Sequence, residues 1–156
     1  MFVCHPFPGF TGLILGPLIF GVIGAAFYFT KEHEFYNMDP KGIPGAFESL
    51  LVKYIKAAEY TITIATGSII LLVGSSALRV QGGGHLPWFF ASPLLLLGWS
   101  VIFGVVFMAW QINRYESYQH GNDHTKLAYT ISEAFGSSSL ACFCSGYMLL
   151  IFLVTR

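Results

Sequence analysis

Residues Gly9–Thr30 read GFTGLILGPLIFGVIGAAFYFT, with no charged side chain among them. A helix needs about 20 predominantly apolar residues to cross the hydrocarbon of a bilayer, and this stretch supplies them. Three further runs read the same way: Tyr60–Leu78, Pro87–Ile112 and Ala134–Val154. Glu59, Arg79 and Glu133 stand at the edges of these runs. The expected fold is all-α and membrane-integral, with spans at about 9–30, 60–78, 87–112 and 134–154.

Composition agrees. The chain has 156 residues, of which 54% are hydrophobic and 10% charged, and its mean hydropathy is +0.64. Soluble domains carry about 25% charged residues. Once four spans are subtracted, only short loops remain, so residues 1–156 form a single membrane domain, expected as an up-down four-helix bundle. The zero net charge implies no nucleic-acid partner. The first run lacks a basic leader and a small-residue cleavage site, so no cleaved signal peptide is expected.

Basic residues next to the spans set the expected orientation. Lys31, Lys41, Lys53, Lys56, Arg114 and Lys126 fall on one side, Arg79 and Arg156 on the other. The richer side is read as cytoplasmic, which leaves both termini outside and suits a bacterial-type plasma membrane.

Within span one, Gly9, Gly12 and Gly16 share a face, continued by Gly24, and Gly12-x-x-x-Gly16 is a small-residue contact surface. Pro17 is a potential kink. Asn37–Pro40 and Gly42–Gly45 carry turn chemistry, after which a helix is expected from about Ala46 straight into span two. Thr63, Gly67, Ile70 and Gly74 offer span two a face suited to close packing. Trp88 and Trp110 bracket span three as interfacial anchors. Span three is expected to continue to about His120, and helix four to run from His124 to near Thr155, capped by Asn122 or Asp123. Helices two to four therefore extend into the cytoplasm.

Three groups of residues carry potential chemistry. Glu59, Glu133 and the segment Gln111-Ile112-Asn113-Arg114-Tyr115 are expected at one depth, because spans two and four start where span three ends, with Glu59, Glu133, Arg114 and Tyr115 as the candidate pocket. A carboxylate at the hydrocarbon edge needs a partner nearby, and Arg114 is the expected counter-ion. Such a polar pocket would bind a quinone head group, a lipid head group or a transported proton; the plainer alternative is an ion pair that holds the bundle together. His33, Glu116, His120 and His124 form a second group, better read as loop residues than as a metal site, which needs three converging ligands. His85 and Arg79 sit at a turn made flexible by Gly82, Gly83 and Gly84. No span holds a mid-depth histidine, so no haem ligand pattern is present. Cys142 and Cys144 point roughly 200° apart on a helix and suit packing rather than redox pairing. No nucleophile elbow, phosphate loop, HExxH or CxxC is present, so catalysis by this chain alone is not expected.

One stretch resembles a known family. Gly67–Gly74, His85-Leu86-Pro87-Trp88, Pro93–Leu97, Ser100, Ile102 and Gly104 are similar to the NrfD/HybB-type quinone-reactive membrane subunits. The resemblance implies a haem-free membrane subunit that meets quinone and serves a redox partner. That family has eight or more spans, and no catalytic residue transfers from this segment. Length and span number also resemble the MAPEG proteins, but their Arg/Asn/Glu signature is not reproduced in Tyr54–Tyr60. Two function classes follow. One is an anchor or accessory subunit of a multi-subunit electron-transfer complex, in contact with lipid, protein subunits and quinone. The other is a small homo-oligomeric transporter or channel that uses the carboxylates.

Overall fold

The structure, a computed structural model, describes residues 8–30, 46–75, 88–120 and 125–155. Four long helices make up almost all of it: α1 (Pro8–Thr30), α2 (Ala46–Gly74), α3 (Ala91–Gln119) and α4 (Lys126–Val154). A single 3-10 turn, Trp88–Phe90, leads into α3. No strand occurs among the described residues. The turns at 37–45 and 79–85, together with Cys4, His33, His124 and Arg156, lie outside the described residues.

All four helices are long and apolar enough to cross a membrane. Their outward faces are apolar to a degree that soluble proteins avoid: Val22 is 62% exposed, Leu71 75% and Met148 71%. α2 is one unbroken helix from Ala46, as the absence of a breaker predicts. α1 continues through Pro17. The apolar stretches run Leu51–Gly74 and Lys126–Val154. Glu59, preceded by Lys53 and Lys56, and Glu133, preceded by Lys126, both fall in the first part of these stretches.

The start of α4 differs from expectation. The cap is Thr125, which has an extended backbone and accepts a hydrogen bond from the Ala128 amide at 3.3 Å. A threonine hydroxyl at this position satisfies one of the four amides that a helix leaves unpaired. Asn122 and Asp123, which the sequence favoured, lie outside the described residues.

Neighbouring helices alternate in direction. α3 and α4 form the central pair, α1 lies in the groove along both, and α2 rests on α3 and meets α4 only thinly. Close packing of two helices, here α1 on α3, which run parallel, needs small residues where backbones approach. Gly12 and Gly16 meet that need: a methyl group at Gly12 would sit 3.0 Å from the Ser92 backbone, and one at Gly16 would collide with the Trp99 ring. Behind them Phe20 stacks on Phe103 at 5.4 Å and meets Phe135 at 4.7 Å. Leu96, Phe103 and Cys142 complete this core. Within it the Ser139 hydroxyl donates to the Ser100 carbonyl at 2.8 Å. Trp110 donates its indole N–H to the Ala128 carbonyl of α4.

The face of α2 that carries Gly67 and Gly74 was expected to pack. Nothing in the described chain lies within 4 Å of a side chain added at either position. α2 turns this face away from the bundle because its packing surface is the opposite one, against α3.

Candidate functional site

Where α2 leans on α3 and away from α4, the three helices enclose a cavity of about 150 Å³. Its lining follows helical spacing on each element. α2 contributes Tyr54, Ala57, Ala58 and Thr61; α3 contributes Gly104, Phe107 and Gln111; α4 contributes Glu133, Gly136, Ser137 and Leu140. The alanines and glycines make the space. Gly136 also seats the Phe107 ring, which a methyl group there would meet at 3.1 Å. Of the lining residues, Ala57 on α2 and Leu140 on α4 are exposed.

The polar groups differ in how they are satisfied. Thr61 donates back to the Ala57 carbonyl at 2.9 Å, and Ser139 is held by Ser100. Glu133 accepts a hydrogen bond from the Tyr129 hydroxyl one turn earlier on α4. Gln111 is only 7% exposed, and its amide oxygen has no hydrogen-bond partner among the described residues. Almost all buried polar groups in native proteins are paired. Gln111 lines the cavity, while its amide oxygen is sealed from solvent.

The residues singled out from sequence do not all converge. Glu133 lines the cavity. Arg114 is buried one turn beyond Gln111 on α3, its guanidinium 5.7 Å from the Tyr129 ring centre and near enough to Glu133 to interact electrostatically. The order is thus Arg114, Tyr129, Glu133, with the tyrosine taking the contact expected of the arginine. Tyr115 is half-buried and does not line the cavity. Glu59 does not join the group at all. It is exposed, and its position on α2 is roughly 150° around the helix from the cavity-facing line.

Tyr54, Tyr129, Thr61 and Ser137 had not been singled out. The signal for two of them was present: Tyr129 and Ser137 flank Glu133 at i, i+4, i+8 through an apolar helix. Gln111 stood beside Arg114 in the sequence, but nothing local distinguishes a buried amide from a solvated one.

The other groupings yield no site. Cys142 is buried and Cys144 exposed, both as free thiols. The His120 ring folds back to the Glu116 carbonyl at 2.8 Å. No three His, Cys, Asp or Glu side chains converge among the described residues. A second depression, between α1 and α4, is lined by Phe20, Gly24, Leu127, Ile131 and Ala134. Its hydroxyl Thr130 is already bonded to the Lys126 carbonyl, so it presents an apolar groove of the kind an acyl chain fills.

Comparison with known protein families, with curated sequences and with solved structures finds no match.

Proposed function

We propose that this chain is a small integral membrane subunit of a larger electron-transfer complex, and that its cavity receives the ring of a quinone. The observation that carries the reading is that Gln111, whose buried amide oxygen has no hydrogen-bond partner among the described residues, and Glu133 line one cavity. A quinone and its quinol present opposite hydrogen-bonding faces: the carbonyl accepts and the hydroxyl donates. A primary amide serves both, with N–H groups for the carbonyl and an oxygen for the hydroxyl. A carboxylate beside it accepts from the quinol. The volume is right for one six-membered ring, since a protein cavity of about 150 Å³ holds benzene. The exposed Ala57 and Leu140 mark the side on which an isoprenoid tail would leave for the lipid.

The similarity of residues 67–104 to quinone-reactive subunits points the same way, but it touches the cavity only at Gly104. The reading therefore rests on the cavity. With the basic loops on the cytoplasmic side of a bacterial-type plasma membrane, the cavity lies in the cytoplasmic half of the bilayer. The chain would bind and orient the ring, and a partner would carry the redox centre.

Transport through one copy is less well supported. Beyond the cavity the path meets the filled core of Leu96, Phe103 and Cys142.

The test is equilibrium binding of a short-chain quinone and its quinol to the purified protein in lipid nanodiscs. Micromolar binding that weakens about tenfold in Glu133→Gln for the quinol supports the assignment. Absence of binding by both forms to a folded protein ends it.

A further inference from the structure

The groove between α1 and α4 lies about 120° around α4 from the cavity, and its chemistry is independent of the quinone reading. Small residues make it. Gly24 of α1 faces Ala134 of α4, where an added methyl group would reach ordinary contact at 3.6 Å. The space left above them is about 290 Å³. Phe20, packed on Phe135 at 4.7 Å, stands at one end and Tyr28 at the other. The two helices are antiparallel, so one wall runs from Tyr28 to Phe20 and the other from Lys126 to Ala134. Each covers eight residue steps, about 12 Å along the axis. The hydrocarbon of one leaflet is about 15 Å deep.

The Tyr28 end carries the charge that identifies the occupant. The Lys126 ammonium lies 4.9 Å from the centre of the Tyr28 ring. Among the described residues no carboxylate pairs with it, and the first turn of α4 holds no acidic side chain. A ring face attracts a cation without using up its three N–H donors. This end is also the polar boundary of the bundle. α1 runs from Pro8 to Thr30 without one charged residue, and Lys31 follows in the sequence. Tyrosine favours head-group depth. The groove therefore asks for a molecule that is apolar for about 12 Å and anionic where it meets Lys126. The other hydroxyl in reach, Thr130, is already bonded to the Lys126 carbonyl at 3.0 Å, so the charge is the only strong polar feature the groove offers.

We propose that the α1–α4 groove seats one acyl chain of an anionic phospholipid, whose phosphate accepts a hydrogen bond from the Lys126 ammonium. A zwitterionic lipid brings the same phosphate beside a cation of its own, so a basic side chain near the membrane surface favours the anionic one.

The experiment is photo-cross-linking of full-length protein in phosphatidylcholine vesicles that carry a trace of diazirine-acyl phosphatidylglycerol or diazirine-acyl phosphatidylcholine, with adducts mapped by mass spectrometry. Phosphatidylglycerol adducts are expected to concentrate on the groove and to exceed those of phosphatidylcholine there about fivefold. Lys126→Gln should bring the two lipids to within about twofold, and Lys126→Arg should keep the preference. Ala25→Phe adds bulk at an exposed residue of the groove and should lower groove adducts of both lipids. Val22→Phe, at a position 62% exposed and outside the groove, should not. Adducts spread evenly over α1, α2 and α4 overturn the seat. Equal groove labelling by the two lipids, or a preference that survives Lys126→Gln, overturns the head-group contact. Loss of groove labelling in inorganic phosphate but not in chloride of equal ionic strength assigns Lys126 to a free anion and overturns the lipid. In native membranes, loss of groove adducts while those elsewhere persist assigns the groove to another chain and likewise overturns it.

Discussion

Replacing Gln111 by leucine tests the site from two directions at once. The side chain is 7% exposed, and its amide oxygen is buried with no partner. A buried acceptor left unsatisfied costs about 1–3 kcal/mol. Leucine has a similar volume and no polar atom, so Gln111→Leu relieves that cost without opening a large hole beside Phe107. The ligand-free protein should gain about 1 kcal/mol, taking the low end because the amide's loss also removes favourable contact. The same change deletes the group proposed to bond the quinone ring, so affinity for quinone and quinol should fall about tenfold. Stability can be followed through Cys142, which is buried and should react only on unfolding, once Cys4 and the exposed Cys144 have been changed to serine. The rate or midpoint of Cys142 labelling by a maleimide in nanodiscs reports stability, and a binding isotherm reports affinity. Most core substitutions lower both quantities. A protein that becomes more stable while binding less tightly is the signature of a polar group retained for a ligand. If Gln111→Leu lowers stability, or leaves quinone affinity unchanged, the reasoning is refuted.

Four further outcomes follow from other parts of the bundle. Thr125→Ala removes the cap of α4 and should cost about 1 kcal/mol, read by the same labelling midpoint, while Thr125→Ser should be close to neutral. Ser139→Ala removes the bond to the Ser100 carbonyl; hydrogen bonds between membrane helices average about 0.6 kcal/mol, and a loss of that order is expected, whereas a loss several times larger would mean that the serine layer organises the α3–α4 contact. Gly16→Ala forces a methyl group into the Trp99 ring and should cost about 1–3 kcal/mol through overpacking. In detergent-solubilised monomer Gly67→Ala should change stability by less than about 0.5 kcal/mol, because open space surrounds it.

Much of the architecture was legible in the chain. The number of helices, the continuity of α2 from Ala46 and the extension of α3 to Gln119 all follow from apolar length and from where glycine, proline and asparagine interrupt it. The contact made by Gly12 and Gly16 was visible as spacing, and the structure supplies its partners, Ser92 and Trp99. The start of α4 was not legible to the residue. Asn122, Asp123 and Thr125 are all good caps, and the choice falls to the one whose hydroxyl meets an amide once α4 has docked on α3.

The site was legible only in part, and the carboxylates show why. Glu59 and Glu133 look alike in the sequence: each precedes an apolar run. Their fates are opposite, since Glu133 lines the cavity and Glu59 faces outward. What separates them is the rotation of each helix about its own axis. That rotation is fixed by which stripe of side chains packs on a neighbour, and in helices apolar almost all round no hydrophobic face announces it. Composition and spacing by themselves determined that this is a chain of four long apolar helices with scattered polar groups. Tertiary packing alone decided that α2 leans on α3 and parts from α4. That tilt creates the cavity lined by Gln111 and Glu133 and leaves Lys56 and Glu59 on the outside.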